Sequence, residues 1–176
     1  LLSKCVPTLL KDLLSRKDAD LINFENRARK KFVSRSGESI TCNSKLLRLY
    51  QDRTGAAGYI LWPSGAKKLI QCEDQKGIAL ADAHITACNN LTVYQVEPAP
   101  IIQLDHCEYY GIKTPVKNDT SKSSVSSHHN PKGGALFWLK RIYFQLKLGL
   151  RQLTLIIRSE RRYIKTMNKD FTINHE

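Results

Sequence analysis

A chain of 176 residues is long enough for one domain with a real core and a short appendage. Its 28 Lys and Arg against 16 Asp and Glu leave a net +12, which points to an anionic partner such as nucleic acid, phosphorylated sugar or an anionic membrane. No apolar stretch approaches the ~20 residues that span a bilayer, and the first 14 residues lack the cationic start and apolar run of a secretory leader; we therefore expect a cytoplasmic protein, at most peripheral on a membrane.

The first predicted element is a helix over residues 6–17, where Pro7 suits a first turn and Leu9, Leu10, Leu13 and Leu14 recur at helical spacing. Residues 20–24 (DLINF) form a compact apolar run, read as a buried strand. Residues 25–45 are polar and basic around Gly37 and have the character of a loop. A strand is predicted over 46–50, and another over 59–62 after Gly55-Ala56-Ala57-Gly58. Pro63-Ser64 opens a helix carrying Ala66, Leu69 and Ile70 on one face. A further helix is predicted over 78–88, stopped by Asn89-Asn90, and a strand over 91–96 (LTVYQV), closed by Pro98 and Pro100. Strands alternating with helices argue for an α/β sheet. Glu73-Asp74, placed after a helix, reads as a solvated loop.

Residues 117–134 (KNDTSKSSVSSHHNPKGG) are nearly devoid of apolar side chains and read as a flexible linker that burial cannot order. Its His128-His129 pair lacks a nearby third ligand for a metal. From residue 135 to 165 the pattern is helical. Leu136, Leu139, Tyr143, Leu146, Leu150, Leu153 and Ile157 make an apolar stripe, and Lys140, Lys147, Arg151, Arg158, Arg162 and Lys165 a basic one about a quarter turn away. Residues 132–165 hold nine Lys or Arg against Glu160 alone, so they carry +8 of the +12. The expected organisation is a domain over 1–116, a linker over 117–134 and a basic amphipathic helical tail over 135–176. The five cysteines (Cys5, Cys42, Cys72, Cys88, Cys107) are odd in number and without the close pairs of zinc sites, and are read as reduced, buried thiols.

The segment 55–69, GAAGYILWPSGAKKL, resembles a signature of the family 25 glycosyltransferases, in which a Gly-Thr-Ala-Gly-Tyr strand precedes a Ser-containing turn and a Gly-Ala-Lys-Lys-Leu-like helix. Ala56 stands where Thr is common, and Trp62-Pro63-Ser64 replaces the usual Ser-Arg-type turn. Leu80-Ala81-Asp82 looks like the family's Pro-Val-Asp element, and residues 91–103 like its closing strand with a proline-rich exit. The likeness extends over roughly residues 1–103. It implies a partial GT-A-like domain, a mixed sheet flanked by helices, and the transfer of a hexose, typically galactose from UDP-galactose, to a lipopolysaccharide or lipooligosaccharide acceptor. The family's acidic Glu-Asp-Asp motif, which holds Mn²⁺ or Mg²⁺ on the donor diphosphate, has no counterpart in these residues. We therefore expect the chain to represent the acceptor-side portion of such an enzyme.

That chemistry needs a neutralised leaving group, a base for the acceptor hydroxyl and an orienting pocket. The resemblance makes Asp82 the base or an acceptor contact, with His84, two residues on and off its helical face, as a second catalytic candidate. Asp82 also stands in an otherwise apolar helix start, where a carboxylate has no evident solvent-face reason to be. Gly55 and Gly58 suit a close backbone approach to the donor, and Tyr59 and Ser64 complete the substrate-binding set. The basic tail suits an anionic membrane carrying the glycolipid acceptor. Two other readings compete: a basic nucleic-acid-binding module, which would need aromatics interleaved with basic residues on one surface, and a non-catalytic remnant. No nucleic acid is expected.

Overall fold

In chain order the elements are α1 (Val6–Leu13), β1 (Leu21–Asn23), β2 (Lys30–Val33), β3 (Glu38–Ile40), β4 (Ser44–Gln51), β5 (Tyr59–Leu61), α2 (Pro63–Lys76), α3 (Ala81–Ala87), β6 (Val93–Glu97), α4 (Ala135–Arg158) and β7 (Glu160–Tyr163). Two short 3-10 turns, Leu104–His106 and Glu108–Tyr110, follow β6. This computed structural model describes residues 1–51, 53, 57–76, 81–112, 134–167 and 171.

The strands form one mixed sheet in the order β5-β1-β6-β4-β2-β7, with β3 paired to β4 off that path. Among the strands of the described residues β1 and β6 run parallel and the other strand pairings are antiparallel; Glu25↔Ile101 and Ala99↔Thr166 add isolated parallel bridges. The registers Leu21↔Val93, Asn23↔Gln95 and Leu47↔Gln95 place these residues on one face of the sheet. That face is covered by α2 and α3, where Cys72 and Ile85 bury against Leu21, Leu47, Leu49 and Val93. On the opposite face Leu9 and Leu13 of α1 pack on Ile22, Leu46 and Val96. The result is a sheet flanked by helices on both faces. Each fully buried Leu or Ile in these layers contributes roughly 1.5–3 kcal/mol.

The close seating of α2 depends on one glycine. A Cβ at Gly65 would lie 2.4 Å from the Asp20 carbonyl oxygen, so any side chain there would push α2 off the sheet. Asp20 is itself buried and takes three donors, two from α2 and one from just before β6. Its carboxylate accepts from Lys68 Nζ (2.6 Å), from the Thr92 N–H (2.7 Å) and from Ser64. Burial would raise its pKa, but these donors outweigh burial and hold it below the usual carboxylate range.

Three expectations are revised. Residues 25–45 are not one loop, since they contain β2 and β3. β2 is a central strand whose Lys31 is fully buried, so its polarity disguised it. The helix predicted to residue 165 ends at Arg158, where Ser159 is extended (φ −140°, ψ 170°) and its hydroxyl donates to the Leu155 carbonyl at 2.6 Å. Glu160–Tyr163 then alternates in burial and pairs with β2 from Lys30↔Tyr163 to Val33↔Glu160. The part of the chain read as a tail thus supplies an edge strand to the sheet, and Thr166 bridges Ala99 beyond it. Glu73 and Asp74 lie within α2, exposed, not in a loop after it. The proposed linker, with His128-His129, falls outside the described residues apart from Gly134.

Among the described residues no helix is long and apolar enough to cross a membrane. None of the five cysteines is in a disulfide; Cys72, Cys88 and Cys107 are buried, Cys5 and Cys42 half-buried.

Candidate functional site

Parallel strands aim their carboxyl ends at the same edge of a sheet, and in open α/β folds that edge is where ligands bind. Here β1 and β6 are the parallel pair, and polar side chains gather at their carboxyl ends on the face shared with α3. Asn23, Glu25, Asn26, Lys31, Gln95 and Glu97 are all buried there. The Lys31 ammonium reaches across the sheet to Gln95 Oε1 (2.8 Å) and the Glu25 carbonyl (3.3 Å), and Gln95 Nε2 donates to the carbonyls of Asn23 and Glu25. Asn26 Nδ2 ties the segment to Ile164 O at 2.7 Å and Thr166 Oγ1 at 3.1 Å. Buried polar groups are retained at low cost only when bonded in this way.

Glu25 is fully buried. One carboxylate oxygen accepts from the Ala57 N–H at 2.7 Å, and the other has no hydrogen-bond partner among the described residues. Burial pushes its pKa up, against the lowering effect of the Ala57 N–H, Arg27 and Lys31, and the nearby charge of Asp82 adds to the rise. Asp82, in the first turn of α3, is partly exposed, with Oδ2 accepting from Arg27 Nη1 at 3.1 Å. The two carboxylates thus lie in one group, Glu25 fully buried and Asp82 partly exposed, with Arg27 bonded to Asp82 and its charge acting on Glu25. Arg27 is aimed by an unusual turn: Ala28 has φ +49°, and its N–H donates to Tyr110 Oη at 3.0 Å. A non-glycine residue in the left-handed region costs about 1 kcal/mol or more and persists where surroundings enforce it.

The residues chosen from the sequence fall in different places. Asp82 lies in this group, and its carboxylate does have a partner there, Arg27, which its apolar neighbours in the sequence did not reveal. His84 does not join it; its Nε2 meets the Leu69 carbonyl at 2.9 Å and fastens α3 to α2. Gly58 packs against a side chain, since a Cβ there would lie 2.3 Å from Ile101 Cδ1, and its carbonyl accepts from the Phe24 N–H. Tyr59 is an exposed residue of β5, and Ser64 bonds Asp20 beneath α2. Gly55 lies outside the described residues. Sequence reasoning missed Glu25, Arg27, Lys31 and Tyr110. The one available signal was the acid and amide directly after the DLINF strand, where a plain surface loop was expected.

A divalent cation finds no fitting ligand set here. Among the described residues no three His, Cys, Asp or Glu side chains converge on a metal position, and the Glu25, Asp82 and Glu97 carboxylates are engaged by Ala57, Arg27 and Arg162. No protein-family model matches the chain, and neither a curated protein nor a solved structure resembles it at a significant level.

Proposed function

We propose that the chain is the acceptor-side portion of a GT-A-like, family 25-type inverting glycosyltransferase that receives a hexose from a nucleotide sugar such as UDP-galactose onto a lipopolysaccharide or lipooligosaccharide acceptor. The observation that carries the reading is the part-exposed Asp82 side chain, its Oδ2 held by Arg27 and its Oδ1 buried, near the carboxyl ends of the parallel strands β1 and β6. In the proposed reaction Asp82 takes the proton of the acceptor hydroxyl as its oxygen bonds the anomeric carbon and the nucleoside diphosphate departs. Arg27 fixes the orientation of that carboxylate. Glu25 holds the backbone at Ala57, so the strand behind it keeps its place, and Tyr110 holds the turn that aims Arg27. No step is assigned to a metal ion.

The test combines binding and turnover. Ligand-observed NMR with a lipooligosaccharide core oligosaccharide is expected to show binding by the 176-residue chain. Asp82→Asn should weaken that binding at unchanged melting temperature. Incubated with UDP-galactose, Mn²⁺ and the lipooligosaccharide, the same chain should transfer galactose far more slowly than the ~1 s⁻¹ or more of ordinary enzymes, because no diphosphate-binding acidic motif is among its residues. Absence of saccharide binding overturns the reading. Turnover at ordinary rates that survives Asp82→Asn within about tenfold, or ~1.4 kcal/mol of barrier, overturns the role of Asp82.

A further inference from the structure

Among the described residues the outward face of α4 gathers most of the exposed large apolar side chains. Leu139, Tyr143, Leu146, Leu150, Leu153 and Ile157 are each more than 60 % exposed, and Trp138, Ile142 and Ile156 more than half. At ~100° per residue all nine fall within roughly 140° of arc, one continuous apolar face. Monomers seldom show apolar patches beyond a few hundred Å², and those that do use them. The body holds the helix outside this arc: Leu155 is buried, Arg151 Nη2 donates to the Tyr50 carbonyl (3.4 Å), and Arg35 Nη2 donates to the Ile156 carbonyl (3.3 Å).

The charge beside the apolar face has one sign. α4 contains five Lys or Arg and no Asp or Glu. Among the described residues no carboxylate pairs with Arg151, Arg158 or Arg35; the Arg158 guanidinium instead lies 6.0 Å from the Tyr50 ring centre. Arg53 is buried and donates to the Cys88 and Leu91 carbonyls. Burial and the neighbouring Arg151 and Arg48 push it down to about 10, and burial and Arg158 likewise lower Arg151. Cations that depress one another, with no ion pair to Arg151, Arg158 or Arg35 among the described residues, favour an anion from outside.

We propose that α4 is an interfacial helix that docks the protein on an anionic lipid bilayer, its apolar face in the acyl boundary and its Lys/Arg flank on the lipid phosphates. Trp138 and Tyr143 lie towards the start of the helix, and amphipathic aromatics of this kind favour the headgroup level. The helix is too short of apolar residues to span, which fits a helix lying in the plane of the interface. The inference does not rest on the transferase reading, because it uses no residue of the Glu25–Asp82 group.

The experiment is flotation of the full 176-residue chain with phosphatidylglycerol-containing vesicles and with phosphatidylcholine vesicles, at low and high salt. Removal of the tail is unsuitable because β7 belongs to the sheet, so substitutions are used. The chain should float with anionic vesicles, more weakly with neutral ones, and salt should erase the difference. Lys147→Gln, Arg151→Gln and Arg158→Gln together should weaken anionic binding on the order of a hundredfold, about fivefold per charge, and leave neutral binding unchanged. Leu150→Gln with Leu153→Gln should weaken both, at unchanged melting temperature. If the triple variant does not fold, the leucine pair and the salt series on the unaltered chain still decide. Failure of the unaltered chain to float, or flotation indifferent to the leucine pair, overturns the proposal. So does a sedimenting dimer that the leucine pair disrupts while vesicles remain unbound, or a preference for duplex DNA over anionic vesicles at equal salt.

Discussion

At the carboxyl ends of β1 and β6, Glu97 meets Arg162 through two oxygens and Asp82 meets Arg27; at the amino ends, Asp20 meets Lys68. On α4 the reverse holds, with Arg151 and Arg158 facing no carboxylate among the described residues and apolar side chains pointing at water. The same +12 chain therefore uses its charge in two ways. At the sheet edges these three carboxylates are matched within the fold, and matched charge specifies architecture. Along the helix, unmatched charge beside bare apolar surface specifies a partner. Stability should answer to the first region and hardly at all to the second.

Among the matched ion pairs the largest effect is expected at Arg162. Burial raises the Glu97 pKa, but two hydrogen bonds from Arg162 and the Lys165 N–H outweigh it and hold the carboxyl below its usual range. Arg162→Met would leave Glu97, 9 % exposed at its side chain, with the Lys165 N–H alone. A buried pair broken on one side costs roughly 3–5 kcal/mol, and the partial exposure of Arg162 reduces that to about 2. The sign with pH follows from the depressed value. Glu97 stabilises the fold above its unfolded pKa of ~4.3, and this contribution disappears as pH falls through the folded value. Urea unfolding at about pH 7 and about pH 3 should therefore show a gap between parent and variant that closes in acid. A gap independent of pH would break the assignment of Arg162 to the matched region.

Most of this architecture was legible where burial and periodicity agreed. β1, β5, α2 and β6 were found because DLINF, YILW and LTVYQV are apolar runs and Ala66, Leu69 and Ile70 repeat at helical spacing. β2 was not, because its sequence KKFV carries two lysines and its pairing partners, β4 and β7, are set by contacts far along the chain. β7 was missed for a related reason: Glu160-Arg161-Arg162-Tyr163 continued the basic stripe of the helix before it, although its burial alternates with period two. In the candidate site Asp82 was visible by resemblance. Arg27, Glu25 and Tyr110 were not, since their association depends on a left-handed turn at Ala28 and a bond across 82 residues, which no local pattern encodes.

A smaller effect is expected at the Asp20 lock. Lys68→Met should cost about 1 kcal/mol, the Lys68 side chain being about a third exposed and the Thr92 N–H and Ser64 remaining on the carboxylate. Asp20 too is held below its usual range, so this loss should also shrink in acid. Ser64→Ala sharpens the contrast further. If Ser64 serves Asp20, the substitution should lower the melting temperature slightly and leave saccharide binding intact. A change confined to saccharide binding would return Ser64 to the substrate-binding role suggested by its place in the sequence.

The smallest effect expected is the most diagnostic. Leu150 is 66 % exposed and Leu155 only 2 %, five residues apart on one helix. Leu155→Ala should cost roughly 2–5 kcal/mol, because its side chain leaves a cavity where α4 meets the body. Leu150→Gln should change stability by no more than about 0.5 kcal/mol, as expected for a surface position that packs against nothing in the free chain. Denaturant midpoints with an unchanged slope would measure both. If Leu150→Gln costs as much as Leu155→Ala, the outward face is already covered, by another copy or another part of the fold, and the contrast between the two regions fails. If it is neutral alone yet protection by anionic vesicles is lost, the helix's leucines are held in reserve for a surface outside the protein. Stability and docking would then be encoded on opposite sides of the same α4.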